Sequence, residues 1–133
     1  MNRRQALQSQ ALAPWLPVLP QPSAPRGGPA WHVIDTFETF RLRVNHRGDW
    51  VLLRTSTASG LRGLGECSHS GNDERVIALV RQYLQALAGR SIFDIEWLRQ
   101  WARPEIAKIG RVAAVALSAI EQSLWDLWSQ MAM

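Results

Sequence analysis

Cysteine occurs once in the 133 residues, as Cys67, and lysine once, as Lys108. A lone cysteine forms no internal disulfide. With only three scattered histidines (His32, His46 and His69) it also lacks the four-ligand spacing of a structural zinc site. No apolar run approaches the roughly 20 residues of a membrane-spanning helix. Proline nearly vanishes after residue 30, where Pro104 alone remains of seven. Acidic residues are missing from the first 30 positions, which carry Arg3, Arg4 and Arg26. The formal charge of +4 is therefore mostly theirs: residues 31–133 hold 12 basic side chains against 11 acidic ones. With no arginine stripe interleaved with aromatics, a nucleic-acid partner is not expected. The length excludes a complete eight-stranded barrel of about 250 residues and suits one domain.

What is present divides at residue 30. Residues 1–30 are a basic, proline-rich extension holding six prolines between Pro14 and Pro29. Proline lacks an amide donor and clashes with a preceding helical turn, which disfavours both helix and central strand here. Paired arginines, a modest apolar middle and the small residues Ser23 and Ala24 have the layout of an export signal. The pair Arg3-Arg4 with Leu7 resembles a loose twin-arginine signal. A disordered extension or a misassigned start reads equally well. The location expected is cytoplasmic, or periplasmic if the signal operates.

Residues 31–133 read as the folded body. The stretch from Trp31 to Val44 alternates as a half-buried strand, Asn45–Asp49 has turn composition, and 50–57 and 61–66 follow as two more strands. Gly63 and Gly65 inside the third imply a bulge or a close backbone approach. Short turns predict a three-stranded antiparallel meander. Ser70 and Asp73 have capping-box spacing ahead of a helix to Leu87, with Gly89 as its stop. Ser91 and Asp94 repeat the signature for a second helix closing near Pro104. A third runs from Arg111 to about Trp128, with Ala113, Leu117, Ile120, Leu124 and Leu127 on its apolar stripe. The fold class is α+β: three strands, then a bundle of about three helices.

The chemistry-bearing residues form no catalytic set. Ser68, His69, Ser70 and Glu66 are too close in sequence for a hydrolase triad, because neighbours on an extended run face opposite ways. Cys67 reads as a small buried hydrophobe. Glu121 and Asp126 lie five apart on a helix and do not converge on one ion. Trp97, Trp101, Trp125 and Trp128 are more than one helix face can hide, which marks a surface for another body of protein.

Two motifs then align with a known pattern. The strand–turn–strand segment keeps Thr57, Gly60, Gly63, Gly65 and Glu66, with Ala58 where an aspartate is usual. The late helix reads Ala119-Ile120-Glu121-Gln122-Ser123-Leu124-Trp125-Asp126, with Ser123 for the usual alanine, and Ser129-Gln130 stands where Gly-Lys is usual. From about Trp31 onward the chain resembles the N-terminal capping domain of the mandelate racemase and muconate lactonizing branch of the enolase superfamily. The resemblance implies that a (β/α)-barrel, in cis or in trans, is the partner. It implies that Mg²⁺ and the catalytic base belong to that barrel, with no cofactor in these residues. The chain stops about where the linker to the barrel would begin, so a fragment or split protein without activity of its own is expected. A standalone interaction module is the alternative, and self-association through uncovered apolar surface is expected. The resemblance also assigns the substrate-facing loops: the turn with Asn45, His46 and Arg47, and the segment with Ser68, His69, Ser70 and Asn72.

Overall fold

A computed structural model describes residues 32–46 and 48–133. Three strands follow one another as β1 (Ile34–Asn45), β2 (Gly48–Thr57) and β3 (Arg62–Glu66), in an antiparallel sheet of order β1-β2-β3. Three helices complete the chain: α1 (Asp73–Leu87), α2 (Ile95–Ile109) and α3 (Arg111–Ala132). This is the meander and helical bundle expected. Trp31 and the extension at 1–30, with its export-signal reading, lie outside the described residues.

Period-2 alternation sets the faces of the sheet. Val51, Leu53, Thr55 and Thr57 of β2 are buried, and the residues between them are half-exposed. Their β1 partners Arg41, Thr39 and Phe37 share that inner face, while Phe40, Leu42, Trp50, Leu52 and Leu64 lie on the outer one. An irregularity between Ile34 and Thr36 explains why no single alternation covers β1. Against the inner face pack Val76, Val80, Tyr83, Leu84 and Leu87 of α1 and the apolar stripe of α3.

The glycines of β3 prove to be a close approach. A Cβ at Gly63 would lie 2.0 Å from the Ser123 carbonyl oxygen, and one at Gly65 2.0 Å from that of Ala119. The backbone of α3 thus rests on the backbone of β3. A buried hydroxyl pair fastens the contact. Ser123 donates to the Ile120 carbonyl at 2.8 Å, which leaves its oxygen to accept from Thr55 at 2.9 Å.

The same helix covers the outer edge of β3, which would otherwise present unpaired backbone groups. Gln122 accepts from the Glu66 amide at 2.9 Å, Asp126 from the Leu64 amide at 2.8 Å, and Gln130 donates to the Arg62 carbonyl at 2.7 Å. Four helical residues rise about 6 Å and two strand residues about 6.7 Å, so side chains at i, i+4 and i+8 keep step with alternate strand positions. Asp126→Ala should cost about 1 kcal/mol, since the freed amide can turn to water. It should also speed hydrogen exchange at Leu64 selectively, which NMR would read.

Two local expectations need correction. Ser70 does not cap α1. Asn72 occupies the N-cap without a side-chain bond, and Asp73 reaches back to accept from the His69 amide at 2.6 Å. Pro104 does not close α2, which continues to Ile109. Proline removes one helical donor, but Gln100 and Pro104 are exposed, while Leu98, Ala102 and Glu105 pin the other side of the helix in the interior. Gly110, with φ of 80°, makes the break instead. Ser91 does cap its turn locally, accepting from the Phe93 amide at 3.1 Å, and Asp94 stands at the N-cap of α2.

Candidate functional site

In an antiparallel meander the β1–β2 turn and the exit of β3 fall at the same end of the sheet. Leu52 pairs with Glu66 and Asn45 with Gly48, so both candidate loops emerge there. Direct bonds join them to β2: Cys67 donates its amide to the Val51 carbonyl at 2.8 Å, and the Val51 amide donates to Ser68 Oγ at 2.9 Å.

Ion pairs tie the two loop regions further. Arg41 bonds Glu74 in the first turn of α1 and lies 3.9 Å from Asp49 at the start of β2. Arg43 Nε adds a contact to Asp49 at 3.2 Å. Sequence reasoning did not single out Arg41 or Glu74, and it took Asp49 only as the end of the Asn45–Asp49 turn. Arg41 and Glu74 are 33 residues apart, and only the register of β1 against β2 brings them together.

The second loop is held mainly through its backbone. The Asn72 amide donates to the His69 carbonyl at 2.8 Å, and Gly71 takes a φ of 79°. Ser70 is exposed, and His69 and Asn72 are half-buried. Ser68 accepts the Val51 amide and keeps its own proton to donate. Asn45 and His46 are exposed at the turn, while Arg47 lies outside the described residues. Polar side chains of both loops therefore share one end of the domain.

Cys67 is wholly buried, and its thiol is pushed up to about 11, first by burial and then by the charges of Asp73 and Glu66. At neutral pH it stays protonated and is a poor nucleophile. Among the described residues no three His, Cys, Asp or Glu side chains come together to hold a metal ion. Glu121 is engaged by Arg99, whose Nε lies 2.6 Å from it, and Asp126 holds the Leu64 amide. This donor set does not fit a Mg²⁺ site, so no chemical step is assigned to such an ion here.

The tryptophans form two stacks. Trp97 and Trp101 lie with centroids 5.6 Å apart, Arg90 sits 3.6 Å over Trp97, and Tyr83 meets Trp101 edge-on. Trp125 and Trp128 stack at 4.6 Å, with Phe93 edge-on to Trp128. The second stack is the more open: Trp125 is 47% and Trp128 39% exposed, apolar area on α3 that a further surface could cover. No helix among the described residues is long and apolar enough to cross a membrane.

A small antiparallel sheet with polar loops gathered at one end is thus backed by a helical bundle with an uncovered aromatic stack. Residues 36–132 match the profile of the mandelate racemase / muconate lactonizing enzyme N-terminal domain, and the chain belongs to that family. A D-mannonate dehydratase of Caulobacter sp. strain K31 is 30% identical over 86 residues, covering 63% of this chain and 21% of that protein. A D-galactonate dehydratase family member of Cellvibrio japonicus is 31% identical with the same coverage. Among solved structures, an enolase from Agrobacterium radiobacter superposes with a TM-score of 0.63 at 28% identity, over 75% of this chain and 25% of that one. An isomerase from Streptomyces coelicolor A3(2) gives 0.64 at 25% identity, over 75% and 28%. The chain thus spans about a fifth of the length of the curated relatives it matches.

Proposed function

We propose that residues 31–133 serve as the capping domain of an enzyme acting on carboxylate substrates, sugar acids foremost, with a (β/α)-barrel in cis or in trans doing the chemistry. The observation that carries this reading is the convergence of the β1–β2 turn and the Cys67–Asn72 loop at one end of the sheet. Of the curated relatives named above, one is a D-mannonate dehydratase and the other a member of the D-galactonate dehydratase family, which supports the substrate class.

In this proposal the cap closes over bound substrate and helps to select it. His69, Ser70 and Asn72, with Asn45 and His46 of the β1–β2 turn, offer hydrogen bonds to hydroxyl or carboxylate oxygens, and Arg47, next in sequence, is proposed to join them. Ser68 braces the loop against β2 and contributes its proton as a donor. Closing the site excludes water and strengthens every polar contact within it. The exposed Trp125–Trp128 stack is the surface proposed to rest on the barrel. Residues 1–30 are proposed to be separable from this unit.

The chain alone should catalyse nothing. Incubated with D-mannonate or D-galactonate and Mg²⁺ in D₂O, it should leave the proton α to the carboxylate unexchanged over the buffer rate, as followed by NMR. Magnesium-dependent exchange that disappears on altering one side chain of this chain would refute the assignment.

A further inference from the structure

We propose that β1 is a dimerisation edge, at which a second copy of this chain adds antiparallel to form one continuous six-stranded sheet. The inference rests on backbone directions and does not depend on the capping function. Along β3 the Arg62 carbonyl and the Leu64 and Glu66 amides point outward to α3, so Gly63 and Gly65 bond β2. Their partners Thr55 and Leu53 face β3, which leaves Leu52, Arg54 and Ser56 to bond β1 through Phe40, Glu38 and Thr36. The backbone groups of Phe37, Thr39, Arg41 and Arg43 must then point to the opposite, outer edge.

At its start that edge is closed. Ile34 donates to the Arg90 carbonyl at 2.9 Å and accepts from the Gly89 amide at 3.1 Å. Beyond the irregularity at 34–36, none of the described residues bonds the four outward-facing pairs of groups. A long strand with a free edge is a template for another strand, and proteins usually blunt it with charge. Here the blunting charges are offset: Arg41 and Arg43 on this strand are paired with Glu74 and Asp49.

The sequence of β1 also suits its own copy in one register. With Phe37 opposite Arg43 of the second copy and Thr39 opposite Arg41, all four residues find partners, giving about eight hydrogen bonds. No like charges face one another, Phe40 meets its counterpart on the two-fold axis, and Glu38 stands across from Leu42. Sliding one step places Arg41 directly against Arg41 of the copy, a destabilising like-charge pair. Sliding the other way draws the irregular Asp35 into the ladder. Such self-complementarity is what a two-fold interface requires.

Sedimentation equilibrium of the full chain should show twice the monomer mass. In the dimer, the amides of Phe37, Thr39, Arg41 and Arg43 should exchange at least about tenfold more slowly than after dilution to monomer. Phe40→Lys sets two ammonium groups across the axis and should return the chain to monomer with its circular dichroism unchanged. Thr39→Pro should do the same by removing an outward donor. A monomer at all accessible concentrations would overturn the proposal. So would a dimer in which those four amides exchange freely, or one that survives Phe40→Lys. A monomer in which they are protected would also overturn it, by showing that the chain covers its own edge.

Discussion

Gly65→Ala should destabilise the fold by about 3–5 kcal/mol, a large part of the roughly 5–15 kcal/mol that holds an ordinary domain together. The added methyl would stand 2.0 Å from the Ala119 carbonyl oxygen and 3.0 Å from its carbonyl carbon. Both are backbone atoms of a helix, so no rotamer change relieves the clash. The helix must lift as a body, which also pulls on the bonds of Gln122, Asp126 and Gln130 to β3 and on the Ser123–Thr55 hydroxyl pair. Gly63→Ala meets the same obstacle at Ser123. Gly71→Ala is the contrast: its methyl would find nothing within 4 Å, and only the left-handed φ of 79° opposes it, at about 1–2 kcal/mol. Urea titration followed by tryptophan fluorescence would rank the three. A loss below about 1 kcal/mol at Gly65, comparable with an ordinary surface change, would mean that strand and helix are not in backbone contact.

This contact shows what was legible in the chain and what was not. Glycines alternating in a strand announced either a bulge or a close approach, and β3 pairs with β2 without a break in register, which leaves close approach. The late helix was plain from its apolar period, yet the task of its other face was hidden. Gln122, Asp126 and Gln130 look like solvated polar residues until β3 is laid beside them. Ser70 and Pro104 misled for a shared reason, because local signals weigh less than the packing of Val76, Val80 and Leu98 in the core. That the β1–β2 turn and the exit of β3 share one end follows from the antiparallel order of the strands. The Arg41 bridge between their regions depends on the register of β1 and could not be read from spacing.

The capping reading can be tested by giving these residues a barrel. Residues 36–132, the extent of the family match, would replace the corresponding domain of the Caulobacter sp. strain K31 D-mannonate dehydratase. The two are 30% identical over 86 residues, so the graft should fold on the host and turn over D-mannonate. Loop side chains that contact substrate should then show themselves in selectivity. His69→Ala removes one candidate hydrogen bond of about 1–1.5 kcal/mol, which converts to a change of about tenfold in kcat/KM. The loss should fall on substrates whose hydroxyl it meets and spare those lacking that group, which a merely structural role would not do. Circular dichroism and Mg²⁺ affinity of the graft, measured alongside, separate misfolding from loss of selection. The decisive quantity is the ratio of kcat/KM for D-mannonate over D-galactonate in the graft with and without His69, Ser70 and Asn72. The capping account predicts that this ratio shifts by about tenfold when those side chains are removed. A folded, Mg²⁺-binding graft whose ratio stays the same after all three are replaced by alanine would contradict it.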